Sequence, residues 1–378
     1  MKRRAVLGLL GGLGRLGGLG GLGGLGLMHG RSANAAAPVY PPVDPGYRLA
    51  FPRDFGAHPA YRIEWWYLTG WLDREGDAPC GFQVTFFRSR TGHDDANPSR
   101  LAPKQLLFAH AALALPERRA LLHDERAARE GLGLAHARVG ECDVAIGDWT
   151  LVRSDAPAVA SRWTATLAGQ SLSMRLEFDA VRPPLLQGEA GFSRKGPEPA
   201  QASHYYSQPQ LDTRGTIGVT EAGRTRRWPV RGRAWLDHEW SSTLLDPRAA
   251  GWDWIGINLD DGGSLVAFRI RDREGSTLWS HASWVAADGT PVARGESRWR
   301  ALRTWRSHRT GGVYPVAAEV GVGGATLELS PLMDDQEVDA RTSTGTVYWE
   351  GAVVVRHRGR EIGRGYLELT GYAGAVRI

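Results

Sequence analysis

The chain has 378 residues, a formal net charge of +5, two cysteines and 15 tryptophans. This length exceeds that of one ordinary domain and sets two domains as the expectation. Five of the 46 basic residues (Lys2, Arg3, Arg4, Arg15 and Arg31) and none of the 41 acidic ones fall in residues 1–35, so the remaining chain is neutral and carries no footprint of a nucleic-acid partner.

In chain order, Met1-Lys2-Arg3-Arg4 leads through a Leu/Gly run, Val6 to Met28, to Ala33-Asn34-Ala35. A basic start, an apolar middle and a small-x-small site make residues 1–35 an export signal, and Arg3-Arg4 before Val6-Leu7 points to the twin-arginine route. Cleavage near Ala35 leaves a periplasmic or secreted protein. Glycine at every second or third position makes the run too weakly apolar for a spanning helix, which needs about 20 apolar residues. In an oxidising compartment Cys80 and Cys142 could pair; two buried thiols are the alternative.

Beyond the signal, alternation with period two dominates. Ile63, Trp65, Tyr67 and Trp71 share one face of 63–71, and Phe82, Val84 and Phe86 one face of 82–88. Similar runs recur at 105–115, 142–152, 171–178, 228–235, 252–259, 264–271, 278–285, 313–320, 347–356 and 363–370, many bounded by Asp-Gly turn chemistry. Only 117–130 reads as a helix. The fold class is therefore all-β, sandwich or barrel.

An internal repeat refines this. Residues 65–73 align without gaps onto 252–260, Phe82–Arg88 onto Leu265–Arg271, and Phe108-Ala109-His110-Ala111 onto Trp279-Ser280-His281-Ala282. Two copies of one β-unit follow, meeting between about 211 and 250. Aromatic residues on both faces of 63–71 exceed the needs of one core, and a small barrel of about eight strands can enclose a ligand cavity walled by tryptophan.

The densest chemistry is Trp235-Leu236-Asp237-His238-Glu239-Trp240-Ser241. If extended, His238 and Trp240 point one way, Asp237 and Glu239 the other. An imidazole beside an indole can donate a proton or orient water against an apolar substrate. Glu64, between Ile63 and Trp65, must be paired or shifted in pKa, and Asp253, between Trp252 and Trp254, raises the same question. His204-Tyr205-Tyr206 places polar tips on aromatic bodies. His110 and His281 hold matching places in the repeat, which favours structural roles. No G-x-S-x-G elbow, HExxH zinc motif or phosphate-binding loop occurs, and two cysteines are too few for a zinc framework, so no metal or nucleotide site is read.

Glu64-Trp65-Trp66-Tyr67, Gln83–Arg88, His204-Tyr205-Tyr206-Ser207, Trp235–Ser241 and Gly251–Gly256 together resemble the AttH/carotenoid 1,2-hydratase family, from about Asp44 to the C-terminus. The resemblance implies two tandem lipocalin-like antiparallel β-barrels, here 44–243 and 244–378. It also implies hydration of a terminal C=C bond of acyclic carotenoids without a redox cofactor, using a His-x-Trp pair with an Asp and a Tyr. His238-x-Trp240 fits the pair, and Asp253 and Asp237 are the candidate acids. Glu64, Trp65, Trp66, Tyr67, His204, Tyr205, Tyr206, Glu239, Trp252 and Trp254 are the expected ligand contacts. The expectation is an exported protein that binds a long apolar ligand, isoprenoid or lipid, and hydrates its double bond with no cofactor. The alternatives are a non-catalytic envelope lipid carrier or attachment protein, peripherally associated with the envelope, and then carbohydrate binding.

Overall fold

Side chains along a strand alternate between its two faces, and the computed structural model, which describes residues 39–93, 97, 99, 101–243, 245–374 and 376, is built almost wholly from that rule. The expected export signal lies outside the described residues. The first sheet opens with β1 (Ile63–Arg74), β2 (Asp77–Arg90), β3 (Gln105–Ala114) and β4 (Leu122–Arg129). It continues through β5 (Ala135–Ala137), β6 (Asp143–Ile146), β7 (Trp149–Ala156), β8 (Val159–Ala168) and β9 (Leu172–Ala180). Two short pieces, β10 (Leu185–Leu186) and β11 (Phe192–Arg194), precede the long hairpin of β12 (Ala202–Glu221) and β13 (Arg224–Thr243). The second sheet begins with β14 (Gly251–Leu259), β15 (Ser264–Arg271), β16 (Thr277–Val285) and β17 (Pro291–Gly295). Then come β18 (Arg298–Arg306), β19 (Val313–Val322), β20 (Ala325–Pro331) and β21 (Glu337–Ala340), ending in the hairpin of β22 (Thr346–His357) and β23 (Arg360–Thr370).

Both sheets are antiparallel, one curls into a nearly closed barrel, and they follow one plan. Each starts with a four-strand meander whose first strand pairs with the last strand of its own sheet, β1 with β13 and β14 with β23. The repeat holds to the residue. Trp66 faces Phe86, which faces Ala109; the aligned Asp253 faces Arg269, which faces Ser280.

Three apolar clusters account for the aromatic residues on both faces of β1. Trp66, Leu68 and Leu72 turn into the first core with Trp163 and Trp240. Ile255, Ile257, Trp349 and Leu367 belong to the second. Tyr67, Trp71 and Trp235 of the first sheet meet Trp254, Phe268 and Tyr366 of the second in a third. A fully buried aromatic side chain contributes roughly 2–3 kcal/mol, so the seam between the sheets is a core in its own right. Backbone carbonyls tie it: Trp71 Nε1 donates to Gly365 O at 3.1 Å and Asn258 Nδ2 to Ala234 O at 3.1 Å.

Two expectations are corrected, and one open alternative is decided. The helix expected over 117–130 is a 3-10 turn, Pro116–Arg118, followed by β4. Arg119 adopts a left-handed φ of 57° that stops the turn, and pairing with β3 overrides the helical propensity of this Ala/Arg/Glu stretch. The run at 142–152 is a hairpin of β6 and β7 turning at Gly147, φ 60°. Cys80 and Cys142 do not pair; both are free thiols fully buried in the first core. Burial pushes the Cys80 thiol up to about 12 and Cys142 well above its ordinary value, so neither is a reactive thiolate.

Candidate active site

A cavity of about 460 Å³ opens along the seam between the sheets. β13 is extended throughout, so its faces separate as alternation requires: Asp237 and Glu239 line the cavity, whereas His238 and Trp240 turn into the first barrel. Trp65, Tyr67, Trp252, Trp254 and Phe268 supply aromatic walls.

The cavity's chemistry is carboxylic. Glu350 of β22 and Glu368 of β23 are direct cross-strand partners that both line it, a placement that brings their Cβ atoms to about 5 Å. Tyr67 Oη donates a hydrogen bond to Glu350 Oε1, while Glu350 Oε2, buried, has no hydrogen-bond partner among the described residues. Burial, then the neighbouring Glu368, push the Glu350 carboxyl well above the usual carboxylate range. Glu368 accepts from Trp252 Nε1 and Thr370 Oγ1, each at 2.9 Å. Burial still pushes it up to about 7. Asp237 accepts from Tyr205 Oη at 2.6 Å, Ser207 Oγ at 2.5 Å and Trp235 Nε1 at 2.7 Å. These donors favour the charged form, yet burial pushes it up to about 7. Glu239, unlike Asp237, Glu350 and Glu368, meets a cation, Lys195 Nζ at 2.8 Å, and also accepts from Ser203 Oγ.

On the barrel side of β13 lies a different constellation. Glu64 accepts from Arg88 Nε at 2.8 Å, His58 Nδ1 at 2.8 Å and His238 Nε2 at 2.9 Å. Burial alone would raise its pKa, but Arg88 and His58 hold it well below the usual range. Both ring nitrogens of His58 contact carboxylates, Glu64 and Asp54, which raises its pKa against the opposing effect of burial. His58 is therefore an imidazolium, stacked on Trp240 at 3.7 Å. His238 stacks on Trp66 and accepts at Nδ1 from Tyr206 Oη at 3.1 Å; burial lowers its pKa and keeps it neutral. His58, Glu64 and His238 place ligand-type atoms within 4.8 Å of one another, the spacing of a metal site. The Arg88 guanidinium and the His58 imidazolium already fill that carboxylate's coordination with positive charge, so the group reads as an ion network fastening the 44–62 segment to the barrel.

The expected site residues thus divide. Trp65, Tyr67, Asp237, Glu239, Trp252 and Trp254 line the cavity, and Tyr205 backs it through Asp237. Trp66, His204, Tyr206, His238 and Trp240 belong to the barrel side. Glu64 joins the network there and borders the cavity. Asp253 faces neither; it is held by Arg269 at 2.7 Å, Arg271 at 2.9 Å and Tyr372 Oη at 3.0 Å. Sequence reasoning missed Glu350, Glu368 and Lys195. The first two carried the signal that singled out Glu64, a carboxylate inside an apolar strand.

The fold and the site define a two-sheet, all-β protein whose seam cavity is walled by aromatic side chains and lined by buried carboxyls. The family model of the AttH-like proteins matches residues 42–372, and the chain belongs to that family. A kievitone hydratase from Fusarium solani subsp. phaseoli is 22% identical over 244 residues, covering 63% of this chain and 68% of that protein. Among solved structures, an AttH protein from Nitrosomonas europaea is 47% identical with a TM-score of 0.80, covering 88% of this chain and 99% of that one. The kievitone hydratase from Nectria haematococca shares the fold at a TM-score of 0.64 and 14% identity, covering 86% and 94%.

Proposed function

We propose that the protein is a hydratase that adds water across a C=C bond of an acyclic apolar ligand held in the seam cavity, without a redox cofactor. The observation that carries this reading is Glu350: a buried carboxyl with one oxygen occupied by Tyr67 and the other unpartnered, its pKa raised by burial and by Glu368. Glu350 Oε2 gives its proton to the less substituted alkene carbon, leaving a tertiary cation. The faces of Trp252 and Trp254, beside Glu368 and Tyr67, stabilise that cation through their ring quadrupoles. The oxygen of a water molecule bonds to the cation, the surplus proton passes to ionised Glu368 and from there back to its cross-strand partner Glu350, so one alkene and one water become one alcohol and both carboxyls return to their starting states. Similarity to kievitone hydratase supports the reaction class. The leader read in residues 1–35 would place the reaction outside the cytoplasm.

The test is incubation of purified protein with acyclic isoprenoid alkenes in ¹⁸O-water. An alcohol carrying the label, lost in Glu350→Gln with ligand binding retained, is the expected result. Binding without turnover in the unaltered protein would make it a carrier instead.

A further inference from the structure

Among the basic residues that line the cavity, Arg62, Arg88, Arg90 and Lys195, Lys195 stands against its aromatic wall at Phe268. Lys195 follows β11, with its backbone N–H donating to Gln201 O at 2.7 Å, and its side chain is 8% exposed. The ammonium sits 4.5 Å from the ring centre of Tyr205 and 4.2 Å from that of Phe268. Among the described residues, Glu239 at 2.8 Å is the one polar partner of this ammonium. An ammonium has three N–H donors, and the residue lines the cavity, so donors remain for a bound molecule.

The chemistry of that molecule follows from the charges around it. Glu239 already balances Lys195 as Glu64 balances Arg88, and Asp237, Glu350 and Glu368 line the same cavity. A ligand carboxylate or phosphate would be an added buried anion among carboxyls, whereas a neutral hydroxyl or carbonyl oxygen accepts from Lys195 without that cost. The reactive end lies elsewhere. Trp65 pairs with Glu239 across the strands, Tyr67 is two residues further along β1, and Tyr67 reaches Glu350. Strand spacing and rise put the ammonium on the order of 10 Å from Glu350, a span of several carbons.

We propose that the cavity selects uncharged, oxygenated acyclic alkenes, with the ligand's oxygen accepting from Lys195 and its distal double bond at Glu350. This rests on the cavity being the reactive site. Farnesol and its dehydration product farnesene, which share a carbon skeleton and differ by a hydroxyl against one further C=C bond, test it by titration calorimetry, with farnesoic acid as the anionic counterpart. A hydrogen bond to a charged donor corresponds to about tenfold or more in affinity, so farnesol should bind about tenfold more tightly than either of the others. Lys195→Met paired with Glu239→Gln, which leaves no uncompensated charge, should bring the farnesol/farnesene ratio close to one; circular dichroism checks that the double variant is folded. Equal binding of farnesol and farnesene by the unaltered protein, a ratio that survives the double variant, tighter binding of the acid, or no binding of either neutral probe would overturn the proposal. Preference for farnesol without hydration would sink the hydratase reading alone, and hydration of farnesene without that preference would sink this one alone.

Discussion

On the barrel side of β13, Glu64 meets Arg88 and a charged His58; on the cavity side, Glu350 and Glu368 meet each other. All three carboxyls are buried, and burial pushes each of them toward its neutral form. Only where a cation is within hydrogen-bonding distance is that push reversed. The two sides of β13 thus face an anion locked in an ion network and, across the seam on the second sheet, an acid kept protonated, and the difference lies in the placement of positive charge, not in depth of burial.

The comparison can be broken most forcefully at Glu64. Glu64→Gln leaves Arg88 and His58 buried without their anion, and we expect about 3–5 kcal/mol of lost stability in urea unfolding. A cost below 1 kcal/mol would mean that the network is not an ion network. Glu350→Gln should behave in the opposite manner, because the amide resembles the neutral acid: stability close to that of the unaltered protein, and turnover reduced about 10²–10⁴-fold. Asp237 sits between the two cases, with three donors and no cation. Asp237→Asn sets an NH₂ against at least one of those donors and should cost about 1–3 kcal/mol; a neutral outcome would group Asp237 with Glu350.

The smallest effect is the most diagnostic, since the two faces should respond to pH with opposite signs. Glu368 has a folded pKa raised to about 7 from an ordinary 4.5, so its contribution is complete below 4.5 and is lost as pH rises through about 7. Glu64 has a lowered folded pKa, so its contribution is complete above 4.5 and is lost as pH falls. Stabilities from urea unfolding across this range should show a shallower neutral-side decline in Glu368→Gln, the part due to Asp237 remaining, and a shallower acid-side decline in Glu64→Gln, each group contributing a slope of at most about 1.4 kcal/mol per pH unit. Turnover should rise as Glu368 ionises near pH 7 and fall at higher pH as Glu350 loses its proton.

Much of this was legible in the sequence because it is local. Alternation revealed the strands, the three-segment repeat revealed two sheets of one plan, and Glu64 and the Asp237–Trp240 run marked the central strands. What stayed hidden is long-range. Tyr67 and Glu350 are 283 residues apart in the chain, and no local pattern says that they touch. Nor does the run at Asp237 say which face of its strand meets the second sheet; both faces are buried, so polarity does not choose between them. The stretch at 117–130 misled because its Ala, Arg and Glu residues favour helix in isolation, and only the ladder with β3 makes it a strand.

The central claim is that the fold keeps Glu350 protonated and Glu64 ionised at neutral pH. Infrared difference spectroscopy of the carboxylic C=O stretch tests it most directly, comparing the unaltered protein with Glu350→Gln and Glu64→Gln at pH 7. The account requires a protonated-carboxyl band that vanishes in Glu350→Gln and persists in Glu64→Gln. A spectrum in which Glu350→Gln removes no such band, or in which Glu64→Gln removes one, would contradict it.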